Sequence, residues 1–311
     1  MQSQALPMDL SQIGIVGYGE VGKIFAAGLL AKSGVASVAA WDLKFKNEAR
    51  GGIELAHATA AGVCPCAGMP ALCEASSFLI SAVTASNTLA VAQEAAASIR
   101  PGTVFLDLNS ASPGTKKQCA ALIDAAGGQY VEAGVMTSVP PYGVRVPMLL
   151  GGVPSQNLHS LLLNWEFDVT VVSSEIGVAS AIKMCRSVMI KGLEALVIES
   201  YSTARAYGVE DFMIPTLQET FPSIDWTAQG AYFFSRVVQH GNRRAEEMRE
   251  AALTVQEAGF DPLMTTAIAT KHQWVADLAK AGVFKEVPVN APHQGDWQAY
   301  ADALLAARKL V

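Results

Sequence analysis

The stretch Ile13-Gly14-Ile15-Val16-Gly17-Tyr18-Gly19-Glu20-Val21-Gly22 decides the fold. A short apolar run ends in closely spaced glycines, and an apolar-periodic stretch from Lys23 to Lys32 follows. The order reads as strand, glycine turn, helix. Gly17 is expected to make the tight turn, Gly19 to admit a pyrophosphate against the backbone, and Gly22 to let the helix lie close to the sheet. The helix N-terminus adds unpaired N–H groups and a partial positive charge. Ala26 is small on the next turn, and Asp42 ends a second apolar run, Val35 to Trp41. Together these read as dinucleotide binding; the bland alternative is that the glycines only make a turn.

Outward from that stretch, further apolar runs fall at Ser77–Val83, Thr103–Leu108, Tyr130–Val135, Pro147–Leu150 and Val169–Val172. Ala-rich segments of helical length, such as Thr88 to Ile99 and Thr115 to Ala126, lie between them. Strands alternating with helices imply right-handed crossovers and a parallel sheet, an α/β domain of the Rossmann type. After about residue 174 the pattern changes. Ile176 to Tyr207, Ser235 to Ala258 and Pro262 to Ala281 read as long helices, with turn signals at Gly208, Pro215, Pro222, Gly259 and Pro262. The expected division is a dinucleotide-binding domain over 1–174 and an all-α domain over 175–311 for substrate and dimerisation, joined by one long helix.

Composition agrees. The chain has 311 residues, 51% of them hydrophobic and 16% charged, enough for two domains with sizeable cores and too apolar for disorder. Lys and Arg number 22 against 28 Asp and Glu, with no basic block, so nucleic acid is not an expected partner. Mean hydropathy is +0.28, but no stretch approaches the roughly 20 uninterrupted apolar residues of a membrane span. Met1 to Leu10 lacks Lys, Arg and an apolar segment, so no secretory signal is expected and the cytoplasm is the expected location. Five cysteines, an odd number, fit reduced thiols. His57, Cys64, Cys66 and Cys73 lack the paired spacing of a zinc site, and no metal is expected.

Expected cofactor contacts come from Gly17, Tyr18, Gly19, Glu20, Val21, Gly22 and Asp42, with Val83, Thr84 and Asn109 counted alongside. A carboxylate at Asp42 accepts hydrogen bonds from the adenine ribose and repels a 2′-phosphate, favouring NAD over NADP. Lys44 and Lys46 follow closely and keep the phosphate reading open. Lys183, Ser187, Ile190 and Glu194 fall on one helical stripe. A desolvated lysine there would have a lowered pKa suited to proton transfer; equally, Lys183 would snorkel to solvent or pair with Glu194.

The motifs resemble those of the β-hydroxyacid dehydrogenase superfamily, which contains the 6-phosphogluconate, 3-hydroxyisobutyrate and L-threonate dehydrogenases and tartronate semialdehyde reductase. Besides the glycine turn, Asp107-Leu108-Asn109-Ser110 with Ser112-Pro113 sits where that family has Asp-Met-Ser-Thr. Glu132-Ala133-Gly134-Val135-Met136-Thr137-Ser138 resembles its Asp-Ala-Pro-Val-Ser-Gly-Gly, and Met148-Leu149-Leu150-Gly151-Gly152 its next strand and glycine pair. Gly177-Val178-Ala179-Ser180-Ala181-Ile182-Lys183 matches Gly-x-Gly-x-x-x-Lys at its first glycine and its lysine. The resemblance implies that Lys183 is catalytic and that dimers or tetramers form through the helical domain.

The departures are equally legible. Met136-Thr137-Ser138 replaces the residues that cradle a small carboxylate, Ser187 replaces an asparagine, and Arg243-Arg244 stands where the family has Lys-Asp. A less characterised branch with an unfamiliar substrate is therefore implied.

The expected function is reversible hydride transfer between a nicotinamide and a hydroxy-acid-like or alcohol substrate, with Lys183 as general acid and base. Ser110, Thr137, Ser138, Ser187 and Arg243 are the candidate substrate contacts. Asn109 and Ser110 have a second reading as helix caps. Trp226, Tyr232, Phe233 and Phe234 either wall a pocket or form core. The alternatives are an imine reductase and a non-catalytic NAD sensor, and the expected partners are a small molecule and further copies of the chain.

Overall fold

The computed structural model describes residues 9–47, 51–287 and 296–308. The start of the chain as far as Met8, read above for a secretory signal, lies outside them. Two compact units, Met1–Met184 and Cys185–Val311, divide the chain.

The first unit carries an eight-stranded sheet in the order β3-β2-β1-β4-β5-β6-β7-β8. The strands are β1 (Gln12–Val16), β2 (Ser37–Trp41), β3 (Cys64–Pro65), β4 (Phe78–Ser81), β5 (Val104–Asp107), β6 (Gln129–Val135), β7 (Met148–Gly151) and β8 (Val169–Ser173). All four residues of β4 and of β5 are buried, so both faces of the sheet are covered, as continuous apolar runs in parallel strands require. The helices between strands are α1 (Glu20–Leu30), α2 (Gly51–Ala60), α3 (Met69–Ala75), α4 (Thr88–Ala96), α5 (Pro113–Ala125) and α6 (Ser155–Asn164).

Strands β1 to β6 are all parallel, in the doubly wound order of dinucleotide-binding domains. The expectation of a parallel sheet needs one correction. β7 pairs antiparallel to β6, and β8 then pairs parallel to β7. The connection from Val135 to Met148 carries only a short helical turn, Gly143–Arg145, whereas a parallel partner needs a full crossover; α6 supplies one between β7 and β8.

Helix α7 (Val178–Tyr207) begins in the first unit, and the division falls inside it. The second unit continues with α8 (Glu210–Thr220), α9 (Trp226–Glu257), α10 (Leu263–Lys280) and α11 (Trp297–Arg308). Gly208 and Gly259, at φ +66° and +86°, end α7 and α9 in the left-handed conformation that glycine adopts without a Cβ penalty. Pro215, read as a turn signal, lies inside α8, where it costs the helix one backbone bond. α9 starts well before Ser235 because Asp225 caps it, its carboxylate accepting from the Ala228 amide at 2.9 Å.

Trp226, Phe233 and Phe234 are buried with Tyr201, Trp297 and Tyr300, and Tyr232 is packed against them, so these aromatics form the core of the helical unit. At His240 (φ −132°, ψ 15°) α9 kinks. The next residue is Gly241, where a Cβ would stand 2.9 Å from the His272 carbonyl of α10; the close approach of two backbones admits only glycine there. Among the described residues no helix is long and apolar enough to cross a membrane.

Candidate active site

The order of strands reverses between β1 and β4, and in doubly wound sheets the crevice at the carboxyl ends of such strands receives the ligand. The glycine turn leaves β1 there. Gly17 has φ +93°, and a Cβ on it would lie 2.5 Å from the Ala82 carbonyl, so the segment that leaves β4 admits only glycine at the turn. A Cβ on Gly22 would collide with the Gly17 carbonyl oxygen and approach Ile15 of β1 to 3.1 Å, which fixes α1 against turn and sheet. Gly19 is different: a Cβ there meets only the Lys44 ammonium, at 3.9 Å. Gly19 is also the N-cap of α1, with no side chain capping the helix. The first amides of α1, from Glu20, Val21 and Gly22, are thus unspent on a side chain and face a cradle open at Gly19.

Asp42 locks this turn to β2. One carboxylate oxygen accepts from the Tyr18 amide at 2.7 Å and the other from the Lys44 amide at 2.8 Å. Each oxygen retains a further lone pair for a ribose hydroxyl. The Tyr18 side chain points away from this role: its ring is buried beside Phe45, and its hydroxyl meets His57 Nδ1 at 3.2 Å. Of Tyr18, only the backbone serves the turn.

The segment after β5 is held by a buried charge network. Lys116 of α5 and Asp107 are each 1% exposed and pair at 3.0 Å, and Lys116 also donates to the Asp107 carbonyl at 3.0 Å. The Tyr130 hydroxyl donates to the second carboxylate oxygen at 2.6 Å, while the Asn109 amide donates to the first at 2.9 Å. Burial, with the Asp107 charge beside it, raises the Tyr130 phenol well above its ordinary value, so it stays a donor. Asn109 then reaches across to β4, accepting from the Val83 amide at 2.7 Å and donating to Ser81 Oγ at 2.9 Å. Thr84, the next residue, accepts from Asn87 Nδ2 at 2.8 Å. The cap of α5 is Ser112, which accepts from the Thr115 amide at 3.1 Å; this replaces the capping reading of Asn109 and Ser110. Ser110 is occupied otherwise. Its Oγ lies 2.6 Å from the Nζ of Lys183, which is 9% exposed.

Lys183 is placed there by the first turn of α7. The buried Glu132 carboxylate of β6 accepts from the Gly177 amide at 2.7 Å and the Ala179 amide at 3.0 Å, a negative charge at a helix N-terminus. Gly134 brings helix and strand together, since a Cβ there would lie 3.0 Å from the Ala179 carbonyl and 3.5 Å from Lys183 Cβ. A Cβ on Gly151 would stand 2.5 Å from the Glu132 carboxylate, so that glycine keeps room for the anchor.

Comparison with known proteins agrees with this layout. Residues 12–141 match the NAD binding domain of 6-phosphogluconate dehydrogenase, and residues 204–275 match a domain of unknown function, DUF1932. A conserved hypothetical protein from Sinorhizobium meliloti 1021, of known structure, is 35% identical with a TM-score of 0.72, over 95% of this chain and 97% of that one. A conserved protein of unknown function, described as structurally similar to 3-hydroxyacid dehydrogenases, is 28% identical with a TM-score of 0.66, over 86% of this chain and 98% of its own. The chain belongs to the β-hydroxyacid dehydrogenase superfamily. The fold is also that of 3-hydroxyisobutyrate dehydrogenase from Salmonella typhimurium, at 18% identity and a TM-score of 0.65 over 93% of this chain and 98% of that enzyme.

In the segment after β6, Met136 donates its amide to the Pro147 carbonyl at 2.9 Å, Thr137 is exposed and Ser138 half-buried. Ser187 and Arg243 belong to the helical unit. There Ser187 Oγ accepts from Lys191 at 3.2 Å, and the exposed Arg243 stands 3.9 Å from Glu247. Glu194, considered above as a partner of Lys183, pairs with Arg244 at 3.1 Å. Sequence reading missed Lys116, Tyr130 and the anchoring use of Glu132. Lys116 sits in an Ala-containing helix beside Lys117 and Gln118 and looks like a surface residue; only its distance from Asp107 reveals it.

Proposed function

We propose that this protein is an NAD(P)-dependent oxidoreductase acting on the CH–OH group of a hydroxy-acid-like or alcohol substrate, reversibly, with Lys183 as its acid and base. The observation that carries this is the Lys183 Nζ at 2.6 Å from Ser110 Oγ, at the carboxyl end of the sheet that bears the glycine turn. The open cradle at Gly19 and the uncapped start of α1 fit a pyrophosphate, and Asp42 fits the adenine ribose. The nicotinamide, when bound, supplies the hydride acceptor or donor. As the neutral amine Lys183 takes the substrate hydroxyl proton during oxidation, and as the ammonium it returns that proton to the carbonyl oxygen during reduction. Ser110 holds the amine in place, Asn109 fixes the spacing of the loops after β4 and β5, and Thr137 and Ser138 face the same substrate. Val83 and Thr84 line the cofactor beside the turn.

The Asp42 carboxylate supports NAD as the preferred cofactor. Lys44 supports the opposite choice, because its ammonium beside Gly19 is a counter-charge for a 2′-phosphate. Parallel titrations with NADH and NADPH separate the two, and tighter NADPH binding overturns the NAD preference. The helical unit is the expected self-association surface: Met189 and Leu196, a heptad apart on α7, are 65% and 55% exposed. Gel filtration at monomer size would contradict this.

The activity is tested by following NADH and NADPH oxidation against panels of oxo acids, aldehydes, ketones and cyclic imines. Carbonyl turnover that falls about 10²–10⁴-fold in Lys183→Ala, with cofactor affinity retained, is the expected result. Turnover of imines alone, tight cofactor binding without turnover, or an unchanged rate in the variant would each overturn it.

A further inference from the structure

Two carboxylates lie side by side in the interior of the sheet unit, at the carboxyl end of β5 and the middle of β6. Asp107 and Glu132 are register partners on those strands, 1% and 0% exposed. Asp107 is paired with Lys116 at 3.0 Å. Glu132 is held differently. One of its oxygens accepts the Gly177 and Ala179 amides, and the other, Oε2, is buried with no hydrogen-bond partner among the described residues. Amides at a helix start carry only partial charge, so a full carboxylate there is under-compensated.

The buried cation that the fold brings to Glu132 is Lys183. Strand alternation puts Glu132 and Gly134 on one face of β6, and a Cβ on Gly134 would stand 3.5 Å from Lys183 Cβ. Lys183 also lies one helical turn beyond Ala179, whose amide Glu132 holds. Strand rise and helix pitch together place the lysine stem within about 7 Å of Glu132. The other charged groups around the pair are committed or exposed. Lys116 is taken by Asp107, and Tyr130 is a neutral donor to the same carboxylate. Lys117 lies across Gly177, its Nζ 3.7 Å from where a Cβ would be, but its side chain is exposed. Glu175, in the turn before α7, and Arg186, three residues after Lys183, are exposed as well, and water and salt screen all three.

We propose that Glu132 is the counter-charge of Lys183, a positioning residue that holds the amine in its ammonium form and so keeps it ready as the acid for carbonyl reduction. For its consequence this rests on Lys183 being the acid and base of the reaction proposed above. In reduction the carbonyl carbon receives a hydride from the reduced nicotinamide and its oxygen receives the Lys183 proton. The neutral amine left behind regains a proton from water. Burial favours that neutral amine, and the Glu132 charge opposes burial. At an effective dielectric constant near 20, a unit charge about 8 Å away moves a titration by about one pH unit or somewhat more.

The test reads Lys183 in the full-length protein without added cofactor or substrate. Competitive acetylation with acetic anhydride over a pH series, quantified on the Lys183 peptide by mass spectrometry, gives the titration of that one amine. Glu132→Gln keeps an oxygen for both amides and is expected to shift the titration down by about one pH unit. Glu132→Asp keeps the charge and is expected to shift it much less. The direction separates charge from structure, because a loosened α7 would admit water to the amine and shift its titration up. With a carbonyl substrate that turns over, the rate of reduction is expected to fall with rising pH about one pH unit earlier in Glu132→Gln. A second readout leaves Glu132 in place. The carbon-13 resonance of its carboxylate is expected to move as Lys183 loses its proton, and that movement to vanish in Lys183→Met. An unshifted or raised Lys183 titration in Glu132→Gln, an equal fall in Glu132→Asp, or a Glu132 resonance blind to Lys183 would overturn the proposal. A lowered titration without turnover of any carbonyl would overturn the redox reading alone.

Discussion

Replacing Lys116 by methionine removes a cation from a position 1% exposed and leaves Asp107, equally buried, without its ion-pair partner. Breaking a buried pair from one side costs about 3–5 kcal/mol, because the remaining charge is left uncompensated in a poor solvent. Asp107 keeps the Tyr130 hydroxyl at 2.6 Å and the Asn109 amide at 2.9 Å, and methionine fills most of the lysine's apolar volume. Those retained bonds place the expected loss near the lower end, at about 3 kcal/mol. At about 2–4 °C per kcal/mol for a unit of this size, the unfolding midpoint of the sheet unit falls by about 6–12 °C. Thermal unfolding followed by circular dichroism measures this. The double variant Asp107→Asn/Lys116→Met sharpens the test. It removes the orphaned charge, its amide oxygen accepts from the Asn109 amide and its NH2 donates to the Tyr130 hydroxyl oxygen, which turns from donor to acceptor, so it is expected to be more stable than Lys116→Met alone. A single-variant shift below about 2 °C, or a double variant no better than the single, would refute the account of this network as a charge pair.

Other consequences can be checked alongside. Gly17→Ala meets both a left-handed backbone and a carbonyl at 2.5 Å and is expected to lose about 1–3 kcal/mol, whereas Gly19→Ala enters open space, changes stability by less than about 1 kcal/mol, and weakens cofactor binding. Denaturant titration and NADH fluorescence read the two effects; a strongly destabilised Gly19→Ala contradicts the cradle. Glu132→Ala orphans the Gly177 and Ala179 amides and is expected to cost about 2–4 kcal/mol, with Glu132→Gln recovering much of it through its amide oxygen. Equal loss in both variants would mean that the negative charge, not the hydrogen bonding, anchors α7. His272, fully buried and titrating at about 3 when folded, takes up its proton near 6.5 once unfolded. The unfolded state thus binds more protons between those values, so the stability His272 provides is complete above about pH 6.5 and falls by up to about 1.4 kcal/mol per pH unit below it. His272→Gln should flatten that slope, measured by urea unfolding at several pH values; an unchanged slope would rule out His272 as its source.

Much of this was legible along the chain. The apolar run, the glycines and Asp42 are local features, and local backbone requirements define the turn, so Gly17, Gly22 and Asp42 stand where their spacing put them. The fully buried strands β4 and β5 announced themselves as unbroken apolar runs. β3 did not, because a two-residue strand has no periodicity, and α8 was hidden by Pro215. The direction of β7 depends on what the preceding connection can span, which hydropathy does not encode.

By itself, then, the sequence determined the class of fold, the glycine turn and a lysine at the start of a long helix. Tertiary structure decided which partner each charged group has. Lys183 meets Ser110 rather than Glu194, and Lys116 is buried against Asp107 rather than solvated. The physical reason is range. Turns and periodicity are set by neighbours in the chain, but the state of a buried charge depends on groups brought within about 4 Å from distant segments, where low dielectric makes each pairing strong and each missing partner costly.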